Sequence, residues 1–563
     1  MEKRLLLAAV LSVTVLLLWE LLMPKPKRPA ASTVVPTAGA STAAATTPGA
    51  GAAAPTVPAE PAYAPIASEA ERATVLETPL LKASFSNRGG VLTSLILKNY
   101  NDDEGKPLEL VRHAPDPARR PFALEFPREE ETRTAAQALF AVEETDRSVT
   151  YRFSDGTRSI EKKYSLTSGY GMGVEIAVPN RDFAILVGPG LRNPSPKERT
   201  SIYVAPTTAV VGGTSGGTET ERADKLKGPV QWTVPAPGFA GLEDNYFLAV
   251  LIPSAATTGT VRPVSFPAPA APTADPKGKP SKDEDKQFSI EVAVAARERF
   301  AGRGYFGPKD VETLESLGVG LEKTVNFGWF GVLARPLLWL LKRTYALVGN
   351  YGVAILITTF LIRLLLFPLT HKSYKSMKKM QKLAPKMKVI QEKYKKARTD
   401  AAQRAKMNQE MMALYQAEGT NPMSGCLPVL LQMPILFAFY YVLANSIDLR
   451  HAPFVLWIKD LSGVDRSYIL VILMVVTMFI QQKLTPSTMD PMQKRIFMMM
   501  PFLMGFFMKD APSGLVLYWF FSNVLTIFQQ LVINKIVKDD EPEKPAGKPG
   551  HSGKPARVKA ARA

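Results

Sequence analysis

The chain has 563 residues, with 69 Lys plus Arg against 51 Asp plus Glu, a formal net charge of +18, and 46% hydrophobic residues. Its single cysteine, Cys426, excludes an intramolecular disulfide, and the charge points to anionic partners: lipid headgroups, nucleic acid or a ribosome. The apolar residues gather in a few runs, most of them in the last third, which marks that third as the membrane part.

The first run, Leu5 to Met23, follows Lys3 and Arg4. It suits a signal peptide or an anchor, but it exceeds the usual apolar region of about 7–15 residues and ends in Met23-Pro24-Lys25 without small residues. Residues 1–23 therefore read as an N-terminal transmembrane signal anchor. Residues 24–65, rich in Ala, Pro, Thr, Ser and Gly, cannot bury enough apolar surface to offset their ordering entropy and read as a flexible linker. From 66 to 320 short β-branched and aromatic stretches alternate with turn signals, Asn87-Arg88-Gly89-Gly90 among them. One all-β domain of the sandwich kind is predicted, interrupted by a surface loop over about 262–286 and closed by a short helix over Asp310 to Leu317.

Residues 327–341, with aromatics, Arg335 and Pro336, suit a helix lying in the membrane interface. Five apolar runs follow, near 345–367, 427–447, 467–484, 496–508 and 513–534, and with the anchor they make six transmembrane helices, five of them forming a core over 345–534. The 496–508 run predicts a helix of only about 20 Å, short of a roughly 30 Å hydrocarbon layer.

Residues 371–425 carry 13 Lys or Arg against four acids, which places this segment in the cytoplasm, with the basic tail 535–563 on the same side. The N-terminus is then cytoplasmic and the β domain periplasmic. Met377, Met380, Leu383, Met387, Ile390 and Tyr394 recur at steps of three and four, and Asp400 with Gln403 resembles a capping box opening a second helix. A cytoplasmic helical hairpin is predicted, with Pro385 as a potential kink and a merely solvated linker as the alternative.

Arg363 is the charge set deepest in an apolar run of the core, with Thr359 one turn before it. Either it faces a polar cavity or its long side chain snorkels toward the cytoplasmic headgroups near Lys372. Tyr518, Ser522, Thr526 and Gln529/Gln530 repeat the pattern in the last run, while Gln432, Thr477 and Gln481 supply further polar groups. Each alone reads equally as interhelical glue; converging on Arg363, they would form a hydrophilic groove. Of 20 Met, 17 fall between 377 and 508, which suits either an adaptable apolar surface or gap-filling between helices. No Gly-Lys pair precedes Ser or Thr, and His113, His371, His451 and His551 form no metal-ligand motif, so the chain carries no enzyme signature and calls for no cofactor.

Val348-Gly349-Asn350, Ile357 to Thr370, Gln409 to Tyr415, Asn421-Pro422, Gln432-Met433-Pro434-Ile435, Leu449 to Phe454 and Pro512 to Tyr518 resemble the YidC family of bacterial membrane protein insertases. The resemblance covers about 300–537; Asn87-Arg88-Gly89-Gly90 and the anchor extend it to the Gram-negative form with a periplasmic β-supersandwich. It implies a multi-pass α-helical membrane protein whose groove is lined by Arg363, Thr359, Gln432 and Tyr518, with Trp519 standing where relatives have a second tyrosine and Ser522 one turn beyond Tyr518. It implies nascent membrane proteins as clients and, as partners, the Sec translocon, the ribosome, signal recognition particle components and membrane lipids. The β domain is similar in fold to sugar mutarotases, yet its single histidine, His113, implies no sugar chemistry. A small-solute transporter and an anchored binding module are the competing readings; the first lacks paired intramembrane acids and repeats, and the second leaves Arg363 unexplained.

Overall fold

The computed structural model describes residues 63–539 apart from 115, 194, 196–205, 268–285, 395–399, 420–426 and 486–490. The anchor, most of the linker, Cys426 and the basic tail after Asp539 lie outside the described residues.

From Ala73 to Pro308 the backbone is mostly strand. In Ser159–Leu166 the even-numbered residues Ile160, Lys162, Tyr164 and Leu166 are buried while Glu161 and Lys163 face solvent, the period of two that strand pleating imposes. Four strands, Ala73–Glu77, Leu81–Ser86, Val91–Asn101 and Pro107–Glu109, form one antiparallel sheet. A second sheet, of twelve strands among the described residues, is built around Gly171–Gly188 and Lys286–Pro308, which pair antiparallel. The sheets share one core: Phe85 of the smaller stacks on Tyr164 of the larger at 5.0 Å between ring centroids, and Leu76, Leu92, Val174 and Ile185 join the same cluster. This is the sandwich that the alternation predicts.

Two local expectations change and one holds. Strand Thr257–Pro267 runs through residues 262–267, where a loop is expected. Its pairing with Val230–Val234 ends at Val261, so Pro263 and Pro267 fall where one flank no longer needs a donor, and proline is tolerated there. Helix α1, Glu129–Gln137, is unannounced by periodicity because it buries only Ala135 and Ala136; Glu129 pairs with Arg133 one turn on, at 2.6 Å. Helix α2, Val311–Ser316, forms as expected, with Asp310 accepting from the Thr313 amide at 3.0 Å.

Helix α3, Gly331–Val348, runs seven residues past its expected end and stops at Gly349, whose φ of 67° only glycine adopts cheaply. Trp329, Val332, Trp339 and Leu347 stay exposed along this segment, an apolar face suited to a membrane surface. Asn350 then caps helix α4, Tyr351–Lys393, by accepting from the Val353 amide at 3.1 Å. At 43 residues α4 is about 65 Å long and passes through Pro368 and Pro385, so the second span and the first arm of the hairpin are one helix. Helix α5, Ala401–Ala417, opens on Asp400 and returns along it: Tyr415 packs on Met380 and Met387, and Lys386–Glu418 and Lys393–Glu410 bridge the arms at 2.6 and 2.9 Å.

The remaining helices are α6, Leu427–Asn445; α7, Ile469–Leu484; α8, Pro491–Met508; and α9, Ser513–Asp539. Helix α8 has 18 residues, about 27 Å, because it begins before the apolar run does, but its opening residues include the exposed Lys494 and Arg495, so the apolar stretch itself stays at 496–508 and short of the hydrocarbon layer. Among the described residues α4 and α9 are long and apolar enough to cross a bilayer, with α7 a shorter apolar helix. A second buried cluster joins Leu248, Val250 and Tyr305 of the sandwich to Leu338 of α3, Ile355 of α4 and Leu515 of α9.

Candidate functional site

Helices α4, α6 and α9 enclose a small cleft lined by Thr359, Ile362, Arg363, Leu366, Thr370, Gln432, Ile435 and Tyr518. Five of these eight residues carry polar groups, and those of Arg363 and Gln432 converge on one oxygen. Arg363 donates from Nη2 to Ser522 Oγ of α9, and Gln432 Nε2 of α6 approaches the same oxygen at 3.4 Å. Ser522 thus gathers donors from two helices. Thr359 donates to the Ile355 carbonyl one turn back, at 2.6 Å, which leaves its oxygen lone pairs free toward the cleft. Tyr518 is buried, its ring stacked on Phe439 of α6 at 4.4 Å and 13°.

Five of the six expected groove residues therefore meet. Trp519 is the exception: it lies half-buried against neighbouring helices and does not line the cleft. Thr370, Ile362, Leu366 and Ile435 line it without having been singled out, although Thr370 stands seven residues after Arg363, two turns along the same face. The wet face expected on the last helix divides. Gln529 bonds Thr370 of α4, while Asn523 and Gln530 turn to α7, meeting Thr477 at 3.4 Å and Thr485 at 2.9 Å. Thr477 accordingly serves the α7–α9 contact and not Arg363.

Burying a guanidinium at membrane depth costs on the order of 3 kcal/mol, and among the described residues no carboxylate pairs with Arg363. The charge is solvated by Ser522 and the cleft instead of being cancelled. On the lipid side Phe360, Leu361, Leu364 and Leu365 of the same helix are exposed, so polar cleft and apolar membrane surface occupy adjacent faces of α4.

The segment between α6 and α7 packs on the first turns of α4 and α9. Phe454 seats on Gly352 of α4, its carbonyl accepts from Asn350 Nδ2 at 3.1 Å, and Gly463 and Leu461 carbonyls accept from the Ser513 and Gly514 amides at 2.7 and 2.8 Å. A Cβ on Gly352 would lie 2.0 Å from the Phe454 ring. Gly352→Ala is expected to destabilise the helical core by about 1–3 kcal/mol, the usual cost of overpacking. Thermal aggregation of the purified protein reads this directly, and Phe454→Ala in the same chain should recover most of the loss; no recovery would mean that the clash lies elsewhere.

Comparison with known proteins decides the family. The model described as 60Kd inner membrane protein matches residues 343–541, and that of the YidC periplasmic domain matches residues 73–340. The membrane protein insertase YidC of Geobacter metallireducens is 37% identical over 567 residues, covering 95% of this chain and 99% of its own. The chain belongs to the YidC family. A second member, from Citrifermentans bemidjiense, is 38% identical and covers 96% of this chain and 100% of its own. A solved active YidC insertase with its first transmembrane domain resolved covers 82% of this chain and 93% of its own at 18% identity, with a TM-score of 0.36. As a YidC-family member the chain is an inner membrane protein with a periplasmic β domain and a helical core.

Proposed function

We propose that this chain inserts membrane proteins by lodging the polar tail of a client in the cleft around Arg363 while the client's apolar segment passes along α4 into lipid. The observation that carries this reading is an unneutralised guanidinium inside an otherwise apolar bundle, held by Ser522 next to Gln432 and Thr359 and beside a lipid-facing surface. No covalent bond is made or broken: burial of about 20 apolar client residues is the driving force, and the cleft lowers the barrier for the polar part. Full membership of the family, over nearly the whole length of its curated relatives, supports insertion and the folding help that accompanies it.

Six spans, a cytoplasmic N-terminus and a site made of Arg363, Thr359, Gln432, Tyr518 and Ser522 complete the proposal. The test is site-specific photocrosslinking from position 518 to a ribosome-bound nascent membrane protein. Crosslinks confined to clients still in transit support the cleft as the route; none from 518, with crosslinks from lipid-facing Leu364 instead, would move the route outside it.

The partners proposed are nascent chains, lipids, the Sec translocon, signal recognition particle components and the ribosome, the last through the basic tail and the hairpin. The six Lys or Arg after Asp539 attract RNA diffusely, so deleting residues after Asp539 is expected to weaken co-sedimentation with ribosomes several-fold at low salt and little at high salt. Unchanged binding at low salt would leave the tail a solubilising extension.

A further inference from the structure

The outer ends of two cleft helices and the last helix of the β domain meet at one ammonium group. Lys342, on α3, lies 2.8 Å from Asp310 and 3.4 Å from Asp448, and all three side chains are only about one-fifth exposed; Glu312, at 3.9 Å, is largely in solvent. Asp310 is the cap of α2, where the sandwich ends. Asp448 follows α6 by three residues and is held by the Ser446 hydroxyl at 3.0 Å. It also faces the hydroxyl of Tyr351, the first residue of α4, whose ring stacks on Tyr345 of α3 at 3.8 Å and 6°. Two carboxylates on one ammonium are stable only while the ammonium is there; without it two like charges face each other across a poorly hydrated junction. Burial alone would push Asp310 up and Lys342 down, yet hydrogen bonding from Lys342 and Thr313 holds Asp310 below the usual carboxylate range, and Asp448 and Asp310 hold Lys342 above the usual ammonium value.

From Tyr351, α4 continues to Thr359 and Arg363, and from Asp448 the chain leads back along α6 to Gln432. We infer that Lys342 is a positioning residue for the cleft: by clamping Asp448 and Asp310 it sets the spacing of α4 and α6 at their outer ends, and with it the width of the cleft between Arg363 and Gln432. Beside the clamp, the segment after α6 also meets the sandwich through Arg450, which donates to the Asn101 carbonyl at 2.6 Å, and through His451, 3.4 Å from Asp103. Lys342 touches no client; it acts through two helices. The inference rests on the cleft being the insertion site.

The experiment uses the full chain with Cys426→Ser and cysteines at Ile362 of α4 and Ile435 of α6, both of which line the cleft. A short thiol-to-thiol reagent is applied in membranes, and insertion of clients with acidic and with neutral tails is measured alongside. Lys342→Ala is expected to cut the 362–435 crosslink at least threefold and to slow both clients alike, whereas Lys342→Arg, which keeps the charge and can span both carboxylates, retains both readouts. Asp448→Asn, nearly isosteric, is expected to lower the crosslink in the same direction and carries the comparison if Lys342→Ala fails to accumulate. An unchanged crosslink in Lys342→Ala and Asp448→Asn, or equal damage from Lys342→Arg at matched membrane levels, overturns the clamp. Loss of the crosslink with insertion intact would instead sink the cleft as the insertion route while leaving the clamp standing.

Discussion

Arg363→Ala is expected to reduce insertion of clients whose translocated tails carry Asp or Glu by about 5- to 30-fold, the equivalent of about 1–2 kcal/mol. Clients with neutral tails should be nearly indifferent. The reason is the missing counterion: Arg363 gives a hydrogen bond to Ser522 but has no carboxylate partner among the described residues, so a client carboxylate entering the cleft meets an unneutralised charge. The effect stays modest because that carboxylate loses its own hydration on entry, which offsets much of the attraction. Arg363→Lys should fall between the wild type and alanine, since a point charge survives while the planar fork that reaches Ser522 is lost. The measurement is insertion yield for paired clients differing only in tail charge, at matched expression. Equal losses for acidic and neutral tails would assign the arginine to holding α4 against α9, and the charge-capture account would be abandoned.

The second large effect concerns the β domain. Lys162 occupies an inward position of its strand and is fully buried, its Nζ donating to the carbonyls of Gly89 and Phe122 at 2.7 and 2.8 Å, with Gly90 at 3.4 Å and the Phe140 ring 5.6 Å away. Gly89 and Gly90 can present those carbonyls because both take positive φ, 73° and 56°, the conformation that Asn87 anchors through Ala70 and Phe140. Burial pulls the Lys162 pKa down to about 7, far below an ordinary lysine near 10.4. Between those values the unfolded chain holds a proton that the folded one has released, so stability rises as pH climbs from about 7 toward 10 and is lowest below 7, where the full cost of burying the charge is borne. The slope contributed is about 1.4 kcal/mol per pH unit at its steepest.

Lys162→Met should abolish that slope. At pH 9 it should also destabilise the domain by about 2–3 kcal/mol, because buried carbonyls lose their donor, and the deficit should shrink toward pH 6. Urea unfolding followed by brief proteolysis, on the wild type and the variant from pH 6 to 9.5, gives the difference directly. A variant that keeps the wild-type pH dependence would show that Lys162 does not titrate in this window.

Hydrophobic period is a local property, and what rests on it was legible in the sequence. The strands between 73 and 308, the cap at Asp310, the opening of α5 at Asp400 and the placing of Thr359 one turn from Arg363 all follow from residues a few positions apart. Where local signals were weak or crossed, the boundaries moved: α1 buries two alanines, α4 continues through two prolines, and α3 ends at Gly349 and not in the middle of an apolar stretch. Helical spacing, however, tells which side chains share a face without telling which neighbour that face meets. Only the tertiary structure decided that Ser522, 159 residues on, receives Arg363, that Gln529 and Gln530 part to different helices, and that Thr477 turns to Asn523. The same holds for Lys162 under the Gly89-Gly90 turn and for Lys342 between Asp310 and Asp448. A lysine in an alternating strand or on an interfacial helix reads as solvated, since the carbonyls and carboxylates that make burial tolerable come from elements far away in the chain.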